Sequence, residues 1–191
     1  MTAEAIMSIF LGVGLAAAAG FRVFIPLFVL SLSAYFGHIP TNETFAWVGS
    51  FSALLVLGIA TIVELLAYFI PFIDNLLDTI AVPLAAIAGT LVMAAVMVDL
   101  PPVMTWSLAI IAGGGTAAAI SGVTAGTRAV SSATTLGIAN PVVSTIETGS
   151  AAVISTVAIV FPVLAMILVV LILLLLYVVF KKIFKSKKTT S

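Results

Sequence analysis

Five apolar stretches, each long enough to cross a bilayer, leave this chain little choice of solvent. They run from about Glu4 to Phe36, Phe45 to Ile70, Leu77 to Val98, Val103 to Leu136 and Val142 to Phe180. One crossing takes ~20 predominantly apolar residues. The chain is 63% hydrophobic and 7% charged, whereas a soluble domain is about a quarter charged. No soluble core hides that much apolar surface. The sequence therefore predicts an all-α polytopic integral membrane helix bundle with the lipid bilayer as its partner.

The first, fourth and fifth stretches are too long for one straight crossing. They contain breakers: Gly20 and Pro26, then Gly113 to Gly115, then Gly149 and Pro162. The reading is five to six crossings with broken or kinked long helices. Irregular backbone at membrane depth must be covered by protein or line water, so the breaks mark candidate sites.

Of the seven Lys and Arg residues, five follow the run "MILVVLILLLLYVVF": Lys181, Lys182, Lys185, Lys187 and Lys188. This stop-transfer pattern predicts a single transmembrane domain over residues 1–180 and a basic cytoplasmic tail over 181–191. The Lys-rich tail is placed to touch anionic lipid. The loops carry no Lys or Arg. Five crossings put the N-terminus outside, and one extra hairpin puts it inside. No basic segment precedes the first apolar run, so the first helix is expected to be retained.

The formal net charge is zero, which gives no reason to expect a nucleic-acid partner. There is no cysteine and one histidine, His38, so disulfides and thiolate or histidine-cluster metal sites are excluded. "AGGGTAAA" lacks the lysine of a phosphate-binding loop and reads as close helix packing. No enzyme activity, metal or cofactor is expected.

The remaining two basic residues are Arg22, in "AAAAGFR", and Arg128, in "GVTAGTR". An arginine near the bilayer centre costs at least ~2.5 kcal/mol on insertion scales. Each must face the bundle interior and meet an acid. The candidates are Glu64, Asp74, Asp78 and Glu147, with Arg22 expected to pair with Glu64 or Asp78 and Arg128 with Glu147 or Asp74. Asp74 and Asp78 are four apart and share a helix face. Asp74 or Asn75 is also placed to cap the third helix. Asn140 reads as an N-cap with Pro141 at the first helical position. The hydroxyls of "TAGTRAVSSATT" either line a hydrated path or bond back to helix carbonyls. Trp47, Trp106, Tyr35, Tyr68 and Tyr177 read as interfacial belt aromatics.

Small residues precede both arginines at matching offsets: Gly12, Ala16 and Gly20 before Arg22, and Ala118, Gly122 and Gly126 before Arg128, with Gly114 one turn earlier. Such stripes let helices approach closely within a chain or in a homodimer. "IPFIDNLLDT" and "NPVVSTIET" also correspond approximately. Residues 4–99 and 103–180 thus read as two unequal inverted repeats, a transporter architecture with its site at the midplane. Two functions fit. One is a transporter or channel for a small solute or ion, with Glu64 and Asp78 titrating or binding a cation. The other is a non-transporting membrane scaffold or partner-binding protein whose Arg/acid pairs are structural.

"GLAAAAGFRVFIPLF", "ELLAYFIPFIDNLLDTIAVPLAAIAGTL", "IIAGGG" and "NPVVSTIETGSA" together resemble the bacterial small membrane proteins grouped as domain of unknown function 4126. The resemblance covers nearly the whole chain outside the tail. It implies one multi-pass domain in the bacterial inner membrane and brings no activity with it.

Overall fold

In a computed structural model of the chain, residues 2–98, 100–135 and 138–186 are described. Lys187 and Lys188 lie outside the described residues, as do the side chains of Asn75, Lys182 and Lys185. The described residues form eight α-helices: α1 (Ala3–Phe21), α2 (Phe24–Tyr35), α3 (Phe51–Ala67), α4 (Pro71–Val96), α5 (Pro102–Leu108), α6 (Gly115–Thr135), α7 (Asn140–Val160) and α8 (Pro162–Ser186). A 3-10 segment (Glu43–Gly49) precedes α3, and a π segment (Ala109–Gly114) joins α5 to α6.

Local chemistry sets the helix ends. Thr2 accepts from the Ala5 N–H to start α1, and Ser50 does the same for Ala53 to start α3. Gly37, at φ +72°, takes the left-handed conformation that lets the chain turn after α2. Asn42 caps the 3-10 segment through Thr44, and its own N–H and side-chain amide donate to the carbonyls of Ala95 and Met97 at the end of α4.

Helix α1 is the hub. Every residue from Leu11 to Gly20 is buried, and α4, α6, α7 and α8 pack around it. Glycine permits the closest approach: a Cβ on Gly20 would lie 2.6 Å from Ile120 Cβ and 2.8 Å from the Ala117 carbonyl oxygen. The outer faces are apolar, with Val56, Ile62, Val63 and Leu66 on α3 and Leu171, Leu175 and Val178 on α8 exposed. Among the described residues four helical spans are long and apolar enough to cross a membrane, or five if the 3-10 segment and α3, bent by 68°, count as one. α2 and the first part of α8 are shorter apolar helices. The chain is a multi-span membrane protein.

The breaks differ in kind. The first stretch breaks at Arg22, whose extended backbone (φ −146°, ψ 128°) ends α1. α2 then returns toward the other end of the bundle, since Ile39 and Pro40 line a crevice with Glu4 to Leu11. The fifth stretch breaks at Phe161, ahead of Pro162. The triple glycine breaks nothing. It lies at the junction of the π segment and α6, where Gly113 and Gly114 sit against Gly89, Met93 and Thr90 of α4.

These breaks correct the expected repeat. Gly12 sits against Met93 near the end of α4, whereas Ala19 clusters with Ala85 and Ala88. Likewise Gly113 sits against Met93, whereas Arg128 reaches Asp78. Both α1 and α6 thus run opposite to α4, and so in the same direction as each other. The inverted relation fails because the hairpin at Arg22 adds one reversal between the two arginine helices.

Candidate functional site

The two arginines and all four candidate acids gather at one end of the bundle. Asp74 and Asp78 lie in the first two turns of α4, Ser144 and Glu147 in the first two turns of α7, Glu64 in the last turn of α3 and Arg22 just beyond α1. At 1.5 Å per helical residue, the cluster is only about 5–10 Å inside the ends of α4 and α7, rather than at the middle expected of an inverted repeat.

Arg128, 3% exposed, is clamped on every nitrogen. Nε donates to Glu147 Oε1 at 3.2 Å, Nη2 to Glu147 Oε2, and Nη1 to Asp74 Oδ1. Asp78 Oδ1 lies 3.5 Å from Nη1, with its side chain 21% exposed. Asn140 donates through Nδ2 to Asp74 Oδ2 and to Ser132 Oγ, both at 3.1 Å. Forked donation from a guanidinium to carboxylates is the strong form of this contact.

Arg22 is 1% exposed and far less satisfied. Its Nη2 donates to the Ser144 carbonyl at 3.0 Å and to Ser144 Oγ, and lies 3.6 Å from Glu147 Oε2. Nε and Nη1 have no hydrogen-bond partner among the described residues. The expected partners of Arg22, Glu64 and Asp78, form no ion pair with it. Glu64 instead accepts the N–H groups of Val23 (2.9 Å) and Phe24 (3.0 Å), one on each oxygen. The break after α1 frees those donors, and the helix start at α2 has no cap of its own. A carboxylate there satisfies both and meets the positive end of the helix dipole.

Tyr68 is no belt aromatic. The Arg22 guanidinium lies 3.7 Å from its ring centroid and that of Arg128 4.3 Å, so both cations lie against its π system. Asp74 caps nothing, because its side chain is committed to Arg128 and Asn140. Asn140 is the first residue of α7, after an N-cap at Ala139. Thr124, Thr127, Thr134 and Thr135 bond back to carbonyls of their own helix.

The small-residue stripes also diverge. Gly12, Gly20 and Gly114 are in tight contact with neighbouring helices, and Ala16 is wholly buried. Gly122 and Gly126 have open space where a Cβ would stand, and Ala118 is half-buried. On a helix, residues two apart point about 200° away from each other. Arg128 is helical and faces the core, so Gly126 faces outward. Arg22 has left the helix, so both it and Gly20 turn inward.

Beside Arg128 and three of the acids lies a cavity of about 20 Å³, lined by Glu64, Tyr68, Asp78, Ser121, Thr124, Arg128 and Glu147 among others. A space of ~10–15 Å³ already holds a water. This one takes a single water-sized guest. Among the described residues no group of three or more acids or histidines is arranged to hold a metal ion.

Ser144 and Tyr68 escaped the sequence reading. Asn140, Ser144 and Glu147 are spaced four and three apart, one helix face, and that spacing was the available signal for Ser144. No curated protein and no solved structure matches the chain significantly. The family model described as Domain of unknown function (DUF4126) matches residues 9–182, a span that includes the whole cluster, and the chain belongs to that family.

Proposed function

We propose that the chain is a transporter or channel for an ion or small solute, with the Arg/acid cluster as its site. The observation that carries this reading is the charge imbalance of the cluster: it holds two guanidiniums and four carboxylates, and three of those carboxylates line a space of water size together with Arg128 alone of the two cations. Uncompensated charge at such a place is costly unless it binds a proton or a cation. Asp78 is the exchanging group, because its contact with Arg128 is the longest of the three acids and it is partly exposed. Glu147 and Asp74 hold Arg128, and Arg22 holds Ser144 and the edge of Glu147. The Lys-rich stop-transfer tail sets the C-terminus in the cytoplasm. α8 starts beside the α1 residues Glu4 to Leu11, and its Ala165 sits against Gly14, so α8 follows the direction of α1 and the cluster faces the side where the tail emerges.

The test is flux in liposomes carrying a pH-sensitive dye. Wild type is expected to move protons or ions above the empty-liposome rate, and Asp78→Asn is expected to abolish this movement. A second reading, a membrane scaffold with structural ion pairs, is favoured by one observation: every nitrogen of Arg128 is already bound to an acid. Wild type without flux, together with Arg22→Gln and Arg128→Gln that only lower the melting temperature, establishes the scaffold.

A further inference from the structure

We infer that the groove between α3 and α4 is a lateral binding site for a lipophilic ammonium ion, an apolar chain carrying one positive charge. This extends the transport reading by naming a substrate class for it.

The groove follows from how α3 is held. α3 packs on α2 and the 3-10 segment, whereas α4 packs on α1, α6 and the π segment. The two helices stand apart and leave a cavity of about 410 Å³, within the range of small-molecule sites. Its walls are apolar, with Phe24, Val56, Val63 and Leu77 among them. Val56 and Val63 are 62% and 58% exposed, so the mouth faces the bilayer. The polar groups lining it are Glu64 and Tyr68, both shared with the small cavity beside the arginines.

Glu64 supplies the charge argument. It is 8% exposed and, of the four acids of the cluster, it alone forms no ion pair within 4.0 Å among the described residues. Two backbone N–H groups occupy one site on each of its oxygens. An ionised carboxylate offers about four acceptor sites, so about two stay open. A buried carboxylate without an ion-pair partner is expensive, and the large opening that it lines is apolar. A hydrated inorganic cation gains nothing from such walls. An anionic amphiphile is repelled by Glu64. An amphiphilic amine satisfies both ends: its chain lies along the valine and leucine walls, and its ammonium group donates to the free sites of Glu64.

The test uses the full chain in nanodiscs of neutral phosphatidylcholine, titrated calorimetrically with dodecylammonium, dodecanol and dodecanoate, with empty nanodiscs as the blank. Dodecylammonium is expected to bind saturably and roughly tenfold or more tighter than dodecanol, since a hydrogen bond to a charged group is worth that much. Glu64→Gln is expected to remove the preference. Ala60→Phe, which fills the groove from α3 and leaves every ionisable group of the cluster in place, is expected to abolish binding even if Glu64→Gln fails to fold. Equal affinity for dodecanol, or unchanged amine binding in Ala60→Phe, overturns the site. Proton flux without saturable amine binding overturns the groove assignment and keeps the transport reading. Amine binding without flux keeps the groove and overturns transport.

Discussion

Arg22 and Arg128 each follow a glycine by two residues in an Ala- and Gly-rich run, yet Arg128 is bound by carboxylates on all of its nitrogens while Arg22 keeps two of its own without a hydrogen-bond partner among the described residues. The difference lies in the backbone. Arg128 sits inside a helix, where its position fixes its face and aims it at the starts of α4 and α7. Arg22 sits on the extended link after a helix, where its carbonyl and amide neighbours also need partners. There Glu64, one of its expected partners, is drawn to the backbone instead of the side chain, and Glu147 is the acid that comes within 3.6 Å of the guanidinium. Similar sequence surroundings thus give one saturated cation and one under-used cation.

The comparison can be broken at four points. The largest effect is expected from Arg128→Gln, which leaves Asp74 and Glu147 buried without their cation; removing one partner of a buried pair costs about 3–5 kcal/mol, read as a large drop in the melting temperature in detergent. Arg22→Gln is expected to cost about 1–3 kcal/mol, because the contacts to Ser144, the edge of Glu147 and the Tyr68 ring are lost. Equal losses from the two variants would end the asymmetry. Next come the glycines. Gly20→Ala places a methyl against Ile120 and the Ala117 backbone and is expected to cost about 1–3 kcal/mol through overpacking. Gly122→Ala, with open space around it, is expected to stay within about 0.5 kcal/mol. Parity between these two would show that the outward stripe on α6 is packed after all, against something outside the chain. A comparably small effect is expected of Asp78→Asn, where a partly exposed contact at 3.5 Å is worth at most about 1 kcal/mol. A near-wild-type melting temperature makes it a clean variant for flux.

Much of the cluster was legible because charge is rare here. With two arginines and few acids inside apolar stretches, each ionisable group must meet another, and the six residues do converge. Their wiring was hidden by the backbone. Glycine and proline around residues 20–26 signalled a break, but a kink and a turn-back look alike in sequence, and only the turn-back reverses the direction of everything downstream. That one ambiguity produced the inverted repeat and the midplane site. It also hid the role of Glu64, since a helix start needs an acceptor only once the chain has stopped being one helix. The stripe of Gly122 and Gly126 faces away from the rest of the chain for the same reason: matching offsets to an arginine mean matching faces only if both arginines are helical.

The burial of α1 from Leu11 to Gly20 has a consequence for biogenesis. The chain is made from its N-terminus, so the helix that ends up at the centre emerges first, before α4, α6, α7 and α8 exist to cover it. Its alanine and glycine surface must wait in lipid or against the insertion machinery until the last helices arrive. A nascent chain halted after α6 is therefore expected to hold α1 with its α7- and α8-facing side bare, a state that quality-control proteases can recognise.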